Sequence, residues 1–308
     1  MARVARGQSL ASGPSSTPSR AVPTAATSRP RERTVTVHLD DHERVRAVLG
    51  GPLGWHTLRH VGEVGSTNDD ALAAAREGAP PGLVVVADHQ RAGRGRQGRP
   101  WQDASGPGEV RSLLVSTLVA VPEAHASLVP LAVGLAVADA VRRAGLAPAL
   151  KWPNDLMVEV DDHRAKCAGI LVERHATPDG PHREVLVVGV GIDLDWRDLD
   201  RVGEARRWTS LAEVTGRDVD RGDVLADLLR ALAVRLRSVP TDPVRLLVAY
   251  RDACATIGQD VRVSFPDGEV LEGRAVDLDR EGRLVVDAAG AGPVAVTAGD
   301  VEHVRPAG

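Results

Sequence analysis

Lysine and asparagine are so scarce in this chain of 308 residues that their positions are informative. Of 38 basic side chains only Lys151 and Lys166 are lysines, and the only asparagines are Asn68 and Asn154. Where any positive charge suffices, arginine has taken the place. The surviving lysines are therefore expected where a compact ammonium on a thin stem is needed and a planar fork does not fit. Lys151-Trp152-Pro153-Asn154-Asp155 gathers one lysine, one asparagine and a carboxylate within five residues. Lys166 enters an apolar strand that ends near Glu173. A third segment, Gln90 through Trp101, contains Gly93-Arg94-Gly95-Arg96 and then Gly98-Arg99-Pro100. Its glycines let backbone N–H groups approach an anion, and its arginines add forked donors for phosphate or carboxylate. Gly65-Ser66-Thr67-Asn68 places three short polar side chains where a helix should start. Gly189-Val190-Gly191-Ile192-Asp193 is a glycine-rich strand against which a ring could lie.

Several chemistries are excluded. The arginine loop matches G-x-G-x-x-G in form, but Pro100 follows where a dinucleotide fold needs a helix to open. No P-loop and no other kinase signature is present. A net charge of −4, with one Phe and one Tyr, argues against a nucleic-acid surface built on charge and stacked aromatics. Two cysteines, Cys167 and Cys254, make no disulfide framework, and no Cys/His cluster has zinc spacing. The apolar stretch Leu128 to Val141 contains Pro130 and Asp139 and reads as a buried helix rather than a membrane span.

Around these segments the chain reads as α+β. Residues 1–33, rich in Ser, Pro and Arg, read as a disordered tail. A main region, 34–256, mixes strands with helices. Helices are expected over Asp40–Leu49, Asn68–Glu77 with Thr67 as cap, Ser127–Ala144, Asp223–Arg237 and Pro243–Ala255. Strands are expected over Leu58–Val64, Leu83–Asp88 and Ser112–Val119, near Leu150 and Met157, and over Ala168–Glu173 and Glu184–Leu194. From residue 257 to 308, short strands joined by Pro-Asp-Gly and Arg-Glu-Gly turns suggest a small β-barrel.

Taken together, Gly65–Asn68, Gln90–Trp101, Lys151–Asp155 and Lys166–Glu173 resemble, in order and spacing, the biotin–protein ligase family. The resemblance spans Val61 to Leu194 and continues more weakly through the terminal barrel. It implies a mixed sheet with packed helices, like class II aminoacyl-tRNA synthetases, and an SH3-like barrel after it. No helix-turn-helix precedes the ligase region, so the monofunctional class is expected, without DNA or membrane binding, in the cytoplasm. The resemblance further implies ATP-dependent joining of biotin, through biotinyl-5′-AMP, to a lysine of the biotin carboxyl carrier domain of an acyl-CoA carboxylase. Lys166, Arg96 and Asp155 would be catalytic. Ser66, Thr67, Asn68, Gln90, Arg94, Gly95, Arg96, Lys166 and Gly169 would bind biotin. Arg96, Arg99, Trp101, Lys151, Asn154, Asp193 and Trp208 would meet the nucleotide. Magnesium would come with ATP, without a protein cage. Asp193 stands where the family has Asn. A homodimer through sheet edges is left open, as are a lipoate-type ligase and a nucleic-acid-binding loop. The arginine loop, by self-repulsion, should be unable to pack without its ligand.

Overall fold

The computed structural model describes residues 39, 41–51, 54–101, 109–175, 183–200, 207–288, 290, 292–297 and 299–304. The expected tail, 1–33, lies outside them.

A seven-stranded sheet runs in the order β1-β2-β3-β7-β6-β5-β4. Its strands are β1 (Thr57–Val64), β2 (Leu83–Gln90), β3 (Ser112–Pro122), β4 (Pro148–Lys151), β5 (Asp155–Val160), β6 (His163–His175) and β7 (Arg183–Asp193). Only β1 and β2 pair in parallel, across helix α2 (Thr67–Arg76); every other neighbouring pair is antiparallel.

The two faces are dressed differently, and alternation along each strand decides which residue goes where. Val84 and Val86 enter the main core, with Leu113, Val115, Val188, Val190 and Ile192. That core holds α3 (Val129–Arg143), α5 (Arg221–Thr241) and α6 (Pro243–Ala253). Leu83, Val85, Leu118 and Val187 meet the alanines of α2 in a smaller cluster on the opposite face. α3 continues a 3₁₀ turn, Glu123–Leu128, and the combined segment is apolar enough to cross a membrane, yet it is largely buried inside the protein.

Where the structure differs from sequence expectation, competing side-chain contacts explain it. Thr67 does not cap α2. Ser66 holds the N-cap position without a side-chain bond, and the Thr67 N–H donates to Gln90 Oε1 at 2.7 Å. A side chain from β2 thus serves the helix end. Asp220, not Asp223, caps α5, accepting from the Asp223 N–H at 2.8 Å, and the helix runs on through Pro240. The first helix, α1, is a single turn, Glu43–Arg46. Helix α4 (Leu211–Thr215) was not anticipated, although Ser210 and Glu213 form a capping box there.

The C-terminal strands form a five-stranded antiparallel sheet, β11-β10-β9-β8-β12. They are β8 (Asp260–Ser264), β9 (Val270–Leu278), β10 (Leu284–Ala288), β11 (Gly292–Val296) and the unanticipated β12 (Asp300–His303). This sheet is tied to the Lys151–Asp155 turn. The Trp152 N–H donates to Thr256 Oγ1 at 3.0 Å, and the Trp152 indole donates to the Gly282 carbonyl at 3.2 Å. Thr256 Oγ1 lies 3.2 Å from His303 Nε2 and can direct its own proton there.

Burial, with Lys151 and Arg164 nearby, pushes His303 down to about 4 from 6.5, so it is neutral in the fold. A depressed histidine favours the unfolded chain once that chain takes up the proton. Stability carried by neutral His303 is therefore complete above pH 6.5 and falls away as pH drops toward about 4. In His303→Gln this acid limb should flatten in urea unfolding measured between those values. An unchanged limb would remove His303 from the acid response.

Candidate functional site

The α2-facing side of the sheet carries a floor made by three adjacent strands. Gly191 of β7 pairs with Leu114 on one side and Gly169 on the other. Two residues along, Gly189 pairs with Ser116 and Leu171, and the next row is Leu118, Val187 and Glu173. The glycines make room. A Cβ at Gly191 would lie 2.5 Å from the Trp101 ring, and one at Gly169 would lie 2.6 Å from it. A Cβ at Gly189 would lie 2.2 Å from Asn68 Oδ1. The indole therefore rests on bare backbone, as does the Asn68 amide.

Above this floor is a pocket. Its wall includes Ser66, Thr67 and Asn68 at the start of α2 and Gln90 at the end of β2, then Arg94, Gly95 and Trp101, with Asn154, Lys166 and Gly169. Segments far apart in the chain meet here. Lys166 Nζ lies 2.6 Å from Asp155 Oδ1 and 5.4 Å from the centre of the Trp101 ring. Trp208 stands beside Lys166 by a backbone bridge, and the Thr209 N–H donates to the Lys166 carbonyl.

The polar end of the pocket is internally bonded. Gln90 Oε1 accepts from both the N–H and the hydroxyl of Thr67. Ser116 Oγ lies between Thr67 Oγ1 and Asn68 Oδ1. Asn68 Nδ2 donates to Glu173 Oε2 at 2.6 Å.

The arginine loop does pack, contrary to expectation. It closes as a hairpin: the Trp101 N–H donates to the Gly93 carbonyl, and the Gly95 N–H to the Arg99 carbonyl. Carboxylates neutralise its charges. Arg94 forks onto Asp69 of α2 at 2.5 and 2.6 Å and holds that carboxyl below the usual range. Arg99 pairs with Asp300 of β12 at 3.0 Å. Arg96 donates to the Gly299 carbonyl; burial, then the nearby Arg99, lowers its affinity for its proton, while Asp300 and Asp155 oppose that.

Five expected nucleotide residues stand outside the pocket wall, among them Arg96, which was also expected to be catalytic and to bind biotin and which reaches the Gly299 carbonyl instead. Arg99 is on the β12 side of the hairpin, and Lys151 ends β4 close enough to His303 to act on its charge. Trp208 is at the Lys166 bridge. Asp193 ends β7, fully buried, where Ser112 donates to it at 3.2 Å.

Sequence reading gave no site role to Ser116, to Asp69 or to Glu173. Ser116 left one trace, a polar residue on the alternate face of an apolar strand. The partners of Asp69 and Glu173 are distant in sequence, and nothing local marks them.

On this mixed sheet a glycine floor thus faces a helix start, with a lysine–carboxylate pair and an arginine hairpin beside it. Residues 63–193 match the Biotin/lipoate A/B protein ligase family, and residues 256–304 match the Biotin protein ligase C terminal domain. The chain is 37% identical over 272 residues to the biotin--[acetyl-CoA-carboxylase] ligase of Mycobacterium tuberculosis, covering 87% of this chain and 96% of that one. It is 30% identical to the bifunctional ligase/repressor BirA of Bacillus subtilis, over 76% of this chain and 70% of that protein. Among solved structures, the biotin protein ligase from Aquifex aeolicus in complex with biotin and ATP superposes with a TM-score of 0.65 at 26% identity. It covers 82% of this chain and all of that one (100%). The chain belongs to the biotin–protein ligase family.

Proposed function

We propose that this enzyme makes biotinyl-5′-AMP from biotin and ATP, then transfers the biotinyl group to one lysine of a cytoplasmic carboxyl carrier domain. One observation carries the reading. A single pocket is lined both by hydrogen-bonding side chains, Ser66, Thr67, Asn68 and Gln90, and by cations, Arg94 and Lys166. An uncharged ureido ring needs the first; an acyl phosphate needs the second.

In the first step the biotin carboxylate attacks the α-phosphate and pyrophosphate leaves. Lys166 and the N–H groups of the hairpin would stabilise the charge that builds on the phosphoryl oxygens. Arg96, close to both Asp155 and Asp300, would meet the phosphates when the hairpin exchanges its protein carboxylates for substrate. Arg99 would hold the outgoing phosphates on the same terms, and Trp101 and Trp208 would wall the acyl and adenine portions. In the second step Asp155 would accept the proton of the attacking lysine, or orient its amine.

Magnesium fits as a passenger on ATP. Among the described residues the one group able to cage a metal is His42, Asp220 and Asp223, outside the pocket wall and paired with Arg44. Beside the pocket stands Asp155, enough for a cation that keeps most of its waters and neutralises phosphate charge.

The reading is tested by mixing the protein with ATP, magnesium and biotin. Pyrophosphate release and a bound species with the mass of biotinyl-AMP are expected. The same result with lipoate, and none with biotin, would replace this reading by that of a lipoate ligase.

A further inference from the structure

Ser116 is fully buried on the pocket floor, 2.6 Å from Asn68 Oδ1 and 2.7 Å from Thr67 Oγ1. It has one proton for two neighbours, and the partners of Asn68 on β6 decide where that proton goes. Asn68 Nδ2 lies 2.6 Å from Glu173 Oε2 and 3.5 Å from the Leu171 carbonyl. A carboxylate and a carbonyl only accept, so the amide nitrogen must face β6. The amide oxygen then faces Ser116, and an amide oxygen also only accepts. The Ser116 proton is thus committed to Asn68.

The consequence reaches Thr67. Ser116 can offer Thr67 only lone pairs, and Gln90 presents its Oε1, again an acceptor. Thr67 donates inside the protein and receives from neither neighbour. Its oxygen keeps its lone pairs for a ligand N–H.

We propose that Glu173 is a positioning residue that sets the polarity of the ring-binding end of the pocket. Acting through Asn68 and Ser116, it keeps Thr67 Oγ1 an acceptor for a ureido N–H. The proposal rests on reading the pocket as the biotin site. Without Glu173 only the Leu171 carbonyl, at 3.5 Å, still holds the amide nitrogen toward β6, so the Asn68 amide can turn over and donate to Ser116. Ser116 then donates to Thr67 and competes with the ligand for its lone pairs. Glu173 does not touch the substrate. Its side chain is 34% exposed and its Oε1 lies 3.8 Å from Arg94, so it also faces the hairpin.

Steady-state pyrophosphate release tests the idea. Glu173→Leu should raise KM for biotin by about tenfold, the scale of one lost hydrogen bond, with kcat and KM for ATP within about threefold of wild type. Glu173→Gln keeps a carbonyl for Asn68 Nδ2 and should restore KM for biotin to within about threefold. Adding Ser116→Ala to Glu173→Leu removes the misdirected donor and should recover most of the lost affinity, a direction that loss of buried packing cannot produce. Thermal unfolding checks that each variant folds. If Glu173→Leu does not fold, Glu173→Ala carries the same expectation. An unchanged KM for biotin, equal rises for both substrates, or a double variant worse than the single would each overturn the proposal. Failure of wild type to turn over biotin would instead defeat the ligase reading itself.

Discussion

Lys166→Ala should lower the rate of the proposed biotinyl-AMP formation by about 10³-fold, the upper end of what removing one preorganised donor costs, in a protein that still folds. Two effects of the same sign combine. The ammonium that lines the pocket is lost, and Asp155, 2.6 Å from it, loses its ion-pair partner. Two unit charges about 5 Å apart interact by about 3 kcal/mol at an effective dielectric constant near 20. The transition state thus loses an attraction and meets an unscreened carboxylate. Asp155→Asn added to Lys166→Ala should therefore recover about tenfold of the first-step rate, as the repulsive part is removed. Lys166→Arg should not rescue. Lys166 Nζ already lies 3.3 Å from where a Gly169 Cβ would be and 5.4 Å from the centre of the Trp101 ring; a planar fork needs more width. Arg96→Gly should likewise cripple formation or retention of the adenylate. The measurement is single-turnover pyrophosphate release with mass detection of the adenylate. Wild-type rates in Lys166→Ala would remove the lysine from the chemistry.

Gly191→Ala should weaken biotin binding by about 10²-fold. The added Cβ would stand 2.5 Å from Trp101 Cζ2 and 2.7 Å from its Cε2. The backbone cannot retreat, because Gly191 is paired on both sides, to Leu114 and to Gly169. The ring must lift into the pocket. Overpacking of this kind costs about 1–3 kcal/mol, and each 1.4 kcal/mol is tenfold in binding. Titration calorimetry with biotin measures the loss. Gly62→Ala is the control: it lies in the same sheet, with nothing within 4 Å of the added Cβ. Equal biotin affinity in Gly191→Ala and Gly62→Ala would show that the floor need not be bare.

Much of this site is legible along the chain because its parts are local. The glycines at 189 and 191 alternate with valine and isoleucine in a strand, so a bare face could be read directly. Lys166 announced itself by rarity, and the arginine loop by composition. The α2 cap was misread, since Thr67 looks like an N-cap until Gln90, 23 residues away, claims it. The loop was expected to repel itself, since Asp69 and Asp300, which neutralise it, are remote in sequence. β12 was missed because Asp300–His303 is four residues long and gains strand character from pairing with β8.

By itself the sequence determined which residue types meet at the pocket: the scarce ammonium of Lys166, part of a cationic hairpin and short polar side chains at a helix start. It also determined the strand alternation that separates core from floor. These depend on residue type and near-neighbour spacing, which a chain displays without folding. Only the tertiary structure decided hydrogen-bond direction and charge pairing. Whether Asn68 donates or accepts toward Ser116 depends on Glu173, 105 residues further on. Whether Arg99 is free or held depends on Asp300, 201 residues away. Such choices follow from acceptors brought within about 3 Å, a distance that exists only once the strands have met.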